Sequence, residues 1–223
     1  MADDVTTRRP RRKTGRALNG ASKGASNGKA GGRGQAGVFS GDIKEILIDA
    51  ESIEKRIAAI ARKISNDYAG KPVVAVGILK GAFMFLSDLA RHLDCQASFD
   101  FMGVSSYGSS TSTSGVVRIT KDLEENIEGR HVLIVEDVVD TGLTLKYLCE
   151  TLKARKPASL KVCCLLDKPS RRKVPVTPDY VGFEIPDAFV VGYGLDYNER
   201  YRQLPFICVL KPEVYSSSGG ETG

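Results

Sequence analysis

No apolar stretch in this 223-residue chain approaches the roughly 18 residues needed to cross a bilayer, so no membrane partner is expected. No internal repeat recurs, which argues against solenoid and propeller architectures. The first residues lack the apolar core of a secretory signal, and the terminal Glu221-Thr222-Gly223 matches no peroxisomal address. What is present is ordinary for a soluble globular protein: 42% hydrophobic and 26% charged residues, enough for one enzyme-sized domain.

The five cysteines, Cys95, Cys149, Cys163, Cys164 and Cys208, are odd in number and fall in predicted strands or helices. Adjacent Cys163 and Cys164 would point to opposite faces of a strand, which excludes a bridge or a shared metal between them. They read as reduced core residues in a reducing compartment, the cytoplasm.

Charge is unevenly spread. Residues 1–37 carry nine Lys/Arg against Asp3 and Asp4, a net of +7, so the remainder is mildly acidic at −2 within the overall +5. The segment is rich in Gly, Ser, Ala and Asn and poor in large apolar residues, so it cannot bury enough surface to offset ordering entropy. Residues 1–40 are therefore expected to form a disordered basic extension, 41–215 the enzyme domain, and 216–223 a flexible tail. A solvated tail is the plain reading of Arg8 to Lys13; a nuclear or nucleic-acid patch and an organelle-targeting segment are the functional ones. The tail lacks interleaved aromatics for base stacking, so nucleic acid is not an expected partner.

Strand and helix signals alternate along the rest, the pattern of an α/β sheet with helices on both faces. Ile53, Ile57, Ile60, Ala61 and Ile64 recur at helical spacing, and Gly70 and Pro72 stop that helix. Strands are predicted from Val73, over Ala97 to Val104 and over Leu160 to Leu166, with a second helix through Phe83, Leu86, Leu89, Ala90 and Leu93.

The most telling stretch is VLIVEDVVDTGLT, Val132 to Thr144. Val132 to Val135 fit a strand buried on both faces, and a helix pattern resumes at Leu145, so the segment between reads as a strand-to-helix loop at the ligand-binding end of a sheet. Backbone amides and hydroxyls of Thr141 to Thr144 can hold an anion at a helix start, with Gly142 permitting close approach. Glu136 and Asp137 would repel a phosphate but can accept from sugar hydroxyls or hold Mg²⁺ through water. Asp-Thr-Gly-x-Thr alone equally suits a capped helix start; the two acids tip the balance toward a phosphate beside a ribose.

Glu136-Asp137-Val138-Val139-Asp140-Thr141-Gly142-x-Thr144 resembles the phosphoribosyl pyrophosphate (PRPP) motif of type I phosphoribosyltransferases. Lys168 in LLDKPSRR and the run from Tyr180 to Arg202 resemble the purine-recognising region of eukaryotic hypoxanthine-guanine phosphoribosyltransferases, and the likeness covers about Gly41 to Tyr215. It implies a mainly parallel central sheet with flanking helices and a small hood subdomain, Mg²⁺ as cofactor, PRPP and a 6-oxopurine base as substrates, and a homodimer or homotetramer. It assigns Asp140 as general base, Glu136 and Asp137 to the ribose and metal, and Thr141, Gly142, Leu143 and Thr144 to the 5′-phosphate. Lys80 and Gly81, in a turn often carrying a cis peptide, and Arg202 go to the pyrophosphate. Lys168, Phe189, Val190 and Asp196 go to the purine side, with Asp196 also holding a second Mg²⁺. Ser106 and Tyr107, within the polar run Ser105 to Ser114, would form a mobile lid that excludes water; a floppy hairpin tip is the plain alternative.

Two departures stand out. Ala82 replaces a common second glycine, and Leu143 replaces a common basic residue, removing a charge near the phosphate. A xanthine-accepting relative and an RNA-binding regulator on the same fold are the competing functions.

Overall fold

The computed structural model describes residues 37–106 and 117–216. Residues 1–36, Tyr107 with most of the expected lid, and residues 217–223 lie outside them. Among the described residues the order is β1 (Ile43–Ile48), α1 (Ala50–Asp67), β2 (Val73–Leu79), α2 (Phe83–His92), β3 (Ala97–Ser106), β4 (Val117–Lys121), β5 (His131–Val139), α3 (Leu143–Lys153), β6 (Ser159–Asp167), β7 (Tyr180–Glu184), β8 (Val190–Val191), β9 (Ile207–Leu210) and α4 (Pro212–Ser216). None of these helices is long and apolar enough to cross a membrane.

Local chemistry explains the first helix. The Asp49 carboxylate accepts from Ser52 N at 2.7 Å, satisfying one of the free amides of the first turn. Ile53, Ile57, Ile60 and Ile64 then share one buried face, as the 3.6-residue period requires. The chain leaves the helix through Tyr68 and turns at Gly70, whose φ of +70° suits glycine.

Six strands form one sheet in the order β4-β3-β2-β5-β6-β7. All neighbours are parallel except the edge strand β4, which runs antiparallel to β3. Helices cover both faces, so central strands are apolar throughout: six of the seven residues of β2 are buried. Cys163 packs with Leu133, Leu165 and the α1 isoleucines on one face, and Cys164 with Val132, Ile134 and Leu148 on the other. All five cysteines are free thiols, and burial pushes the Cys163 and Cys164 thiols up. The outer edge of β7 is covered by Arg56, which donates to the carbonyls of Gly182 and Val181 at 2.6 and 2.8 Å; a capped edge does not recruit further strands.

A second, antiparallel sheet joins the two ends of the domain in the order β1-β9-β8, with Ile43 opposite Leu210 and Val191 opposite Cys208. Its own core holds Tyr201, Leu204, Phe206 and Leu210, and it corresponds to the expected hood. Phe39, placed outside the enzyme domain by a boundary at 40, packs here with its ring 4.7 Å from Tyr201.

The strand order fixes where a ligand can bind. From β2 the chain crosses to β3 on one side, while β5 lies on the other, so the topological switch point falls between β2 and β5. The crevice outside their carboxyl ends is the expected ligand position in an open α/β sheet.

Candidate active site

Strand β5 runs farther than its sequence suggests. Glu136 and Asp137 belong to the strand, not to a loop after Val135, because pairing with β6 continues through Val138 opposite Leu166 and Val139 opposite Asp167. The two acids therefore face opposite sides of the sheet. Glu136 lines a cavity of about 220 Å³ with Val138, Val139, Asp140, Thr141, Gly142, Thr144 and Leu145. Leu143 is not among its lining residues; it opens α3. Gly142 caps that helix at φ +81°, without a side-chain cap, and a Cβ on it would stand 3.0 Å from Arg172 Cδ. Thr141, Gly142, Thr144 and Leu145 line this cavity at the helix start, where backbone amides suit an anion, and Thr141 Oγ1 accepts from Leu143 N at 3.4 Å.

Asp137 faces the other crevice wall. A Cβ on Gly81 would fall 1.5 Å from Asp137 Oδ2, so only glycine lets the β2–α2 turn rest against this carboxylate. The Leu79-Lys80 peptide in that turn is cis. Above it, Gly194 O accepts from Arg202 Nη1 at 2.8 Å, and a Cβ on Gly194 would be 2.1 Å from Gly81 O. Lys80 Nζ lies 2.9 Å from Glu199. Arg202 Nη2 lies 2.8 Å from Asp196 Oδ1, and Arg202 Nε is buried without a hydrogen-bond partner. Residues 80, 81, 137, 196 and 202 are thus one cluster, although they come from three segments of the chain.

The segment after β6 clamps the β5–α3 turn. Lys168 N donates to Val139 O and Lys173 N to Thr141 O, each at 2.9 Å. Arg172 donates to Asp140 O at 2.7 Å and pairs with the buried Asp167. Arg171 Nε reaches Asp140 Oδ1 at 3.1 Å, and its Nη1 lies 3.4 Å from Asp187. The Asp140 carboxylate is left 40% exposed, open to a ligand at the cavity.

Lys168 brings a buried charge to the same turn. It is 8% exposed, and its Nζ donates to Ala188 O at 2.7 Å; an ammonium has three donors, so capacity remains for a ligand acceptor. Beside it Phe189 is 44% exposed, buttressed by Tyr197 and Tyr215 at 5.7 and 5.4 Å between ring centres. Val190 is buried and paired into β8.

Electrostatics marks the acids at the end of β5. Burial and the neighbouring Asp137 charge push the Glu136 carboxyl well above its ordinary range. Burial likewise pushes Asp137 up, from 3.8 to about 6, partly offset by backbone amides and Arg202. Among the described residues no three His, Cys, Asp or Glu side chains form a metal cage. Glu136 and Asp137, each disfavoured as an anion and each on its own face of the sheet, could each offer oxygen to a hard cation that keeps waters and substrate oxygens in its shell, as Mg²⁺ does. Asp196 is already engaged by Arg202 and by Glu199 N at 2.9 Å.

A pH effect on stability follows. Asp137 binds its proton more tightly folded than unfolded, so its stabilising contribution is present below pH 3.8 and lost as pH rises to about 6. Asp137→Asn should therefore raise Tm at about pH 7.5 and leave it nearly unchanged at about pH 3.5. Thermal unfolding at the two pH values checks this, and an equal shift at both would contradict it.

Several residues escaped the sequence reading: Arg171, Arg172, Asp167, Asp187, Glu199 and Tyr215. The only visible signal was the basic pair directly after Lys168; the others act across the fold.

Comparison with known proteins agrees with this geometry. The phosphoribosyl transferase domain model matches residues 44–198. Hypoxanthine-guanine phosphoribosyltransferase of Bacillus subtilis is 53% identical over 176 residues, covering 79% of this chain and 98% of that one. A crystal structure of hypoxanthine phosphoribosyltransferase from Staphylococcus aureus aligns with a TM-score of 0.77 at 52% identity, covering 80% and 97%. The Trypanosoma cruzi hypoxanthine phosphoribosyl transferase structure aligns at 0.76 and 48% identity, covering 79% and 96%. The expected likeness to eukaryotic enzymes thus extends to bacterial ones, at 53% identity for the Bacillus subtilis enzyme. This chain belongs to the hypoxanthine-guanine phosphoribosyltransferase family of type I phosphoribosyltransferases.

Proposed function

We propose that the chain transfers the 5-phosphoribosyl group of PRPP to N9 of hypoxanthine or guanine, forming IMP or GMP and pyrophosphate in purine salvage. The observation that carries this reading is the buried Lys168 ammonium, tied through its own backbone to the anion-binding turn at Val139. It sets a hydrogen-bond donor for a 6-oxo group next to a phosphate site. Adenine presents a donor there and would leave the ammonium unsatisfied, a mismatch that discriminates strongly.

Each residue then has a chemical task. Phe189 stacks on the purine, and the Val190 backbone meets its edge. Asp140 accepts the N7 proton while N9 attacks the anomeric carbon. Amides and hydroxyls from Thr141 to Thr144 hold the 5′-phosphate, with Leu143 contributing backbone only. Glu136 and Asp137 orient the ribose from the two faces of β5, and Lys80, Gly81 and Arg202 receive the pyrophosphate. Asp196 orients Arg202 at 2.8 Å and would help hold a second Mg²⁺. Bound Mg²⁺ would neutralise charge on the departing pyrophosphate. Ser106 and Tyr107 are the lid residues that the family resemblance implies; Tyr107 and the Ser106 side chain lie outside the described residues. Family membership supports a homodimer or homotetramer, and the free thiols suit a cytoplasmic setting.

The test is PRPP- and Mg²⁺-dependent nucleotide formation with hypoxanthine, guanine, xanthine and adenine side by side. Hypoxanthine and guanine should turn over readily and adenine only slowly. Turnover of adenine at a comparable rate would contradict the role given to Lys168.

A further inference from the structure

Both cations placed at the pyrophosphate already meet one carboxylate of the chain. Glu199 Oε2 lies 2.9 Å from Lys80 Nζ and 3.4 Å from Arg202 Nη2. Phosphate-binding cations bridged by a single oxygen are arranged as they would be around an anionic ligand. Glu199 is held in this position by its backbone. Asn198, Glu199 and Tyr201 have φ of 51°, 59° and 77°, a left-handed region that residues with a Cβ seldom adopt. Glu199 N is anchored on Asp196 Oδ2 at 2.9 Å, and Tyr201 is buried with its hydroxyl on Asp42 at 2.8 Å. The Lys80 and Glu199 side chains are each 65% exposed; a pair so open to water contributes little to folding, so stability does not account for this backbone.

We propose that Glu199 is a resident anion of the pyrophosphate subsite, holding Lys80 and Arg202 before substrate arrives and yielding them to the pyrophosphate of PRPP. The proposal rests on the transferase reading above. Glu199 Oε2 touches both cations, 2.9 Å from Lys80 Nζ and 3.4 Å from Arg202 Nη2, so it competes with an incoming anion for the same donors. Glu199 is a positioning residue: it weakens PRPP binding and eases the release of pyrophosphate, while leaving the proton transfer at Asp140 untouched.

The test is calorimetric titration of magnesium PRPP into the wild-type chain and Glu199→Gln, with ribose 5-phosphate as a ligand that lacks the pyrophosphate. Glu199→Gln should bind PRPP about fivefold more tightly, the upper range for an exposed ion pair. Ribose 5-phosphate should bind both alike. In steady state KM for PRPP should fall while kcat does not rise. Adding Lys80→Met should shrink the gain, since the liberated cation is its source. Equal or weaker PRPP binding by Glu199→Gln, or a gain of undiminished size with Lys80→Met, would overturn the resident-anion role. Failure of the wild-type chain to bind PRPP would instead overturn the transferase reading and this proposal with it.

Discussion

Asp140→Asn should keep PRPP affinity and lose turnover by about 10²- to 10⁴-fold, the usual contribution of a positioned general base. The substitution preserves size, and the turn that carries residue 140 is held by its backbone. Arg172 grips Asp140 O at 2.7 Å, while Lys168 N and Lys173 N hold Val139 O and Thr141 O. The phosphate-binding amides should therefore stay in place. What disappears is the carboxylate proposed to accept the N7 proton. Arg171 loses its partner at 3.1 Å but still has Asp187 nearby at 3.4 Å, so no cation is stranded. Steady-state kcat beside a PRPP dissociation constant measured by calorimetry separates the two effects. Equal turnover would remove Asp140 from the chemistry, and a parallel loss of PRPP binding would show that it builds the phosphate site instead.

The parts of this molecule legible from sequence are those set by neighbours along the chain. The α1 isoleucines, the apolar run of β2 and the opposed Cys163 and Cys164 each follow from a helical or strand period, and the structure places them accordingly. The end of β5 was misread for a physical reason. Adjacent acids look like a strand terminator, but pairing of Val138 and Val139 with β6 carries the strand past them. This also separates Glu136 from Asp137, which the motif alone treats as one unit. The hood depends on β1 meeting β9 across most of the chain, and no local pattern announces such a pairing. The same holds for Glu199 on Lys80 and for Gly81 against Asp137. Gly81 is placed by resemblance at a pyrophosphate turn, yet its demand for glycine comes from a carboxylate on another strand. In general the motif points to candidate groups along the chain, and tertiary contacts determine which charges restrain them.

Lys168→Met is expected to lower kcat/KM for hypoxanthine and guanine by roughly 10- to 100-fold, the range for one hydrogen bond to a charged group, with little effect on the slow adenine reaction. The argument turns on burial. Lys168 is a residue only 8% exposed, with its ammonium on Ala188 O at 2.7 Å, so part of its water has been exchanged for one carbonyl, which is costly unless a further acceptor completes its shell. A 6-oxo group supplies that acceptor and adenine's amino group does not, so the lysine separates the bases by what it lacks when empty. Methionine keeps the length of the side chain and removes the charge, and the buried site should tolerate it: Tm should hold or rise. Comparing kcat/KM for the three bases with Tm on the same preparation distinguishes recognition from support. Loss confined to the 6-oxopurines with Tm intact assigns Lys168 to base selection. An equal loss for all three bases with a falling Tm would make it a prop for the Ala188-Phe189 wall, and discrimination against adenine would then have to come from the backbone at Val190.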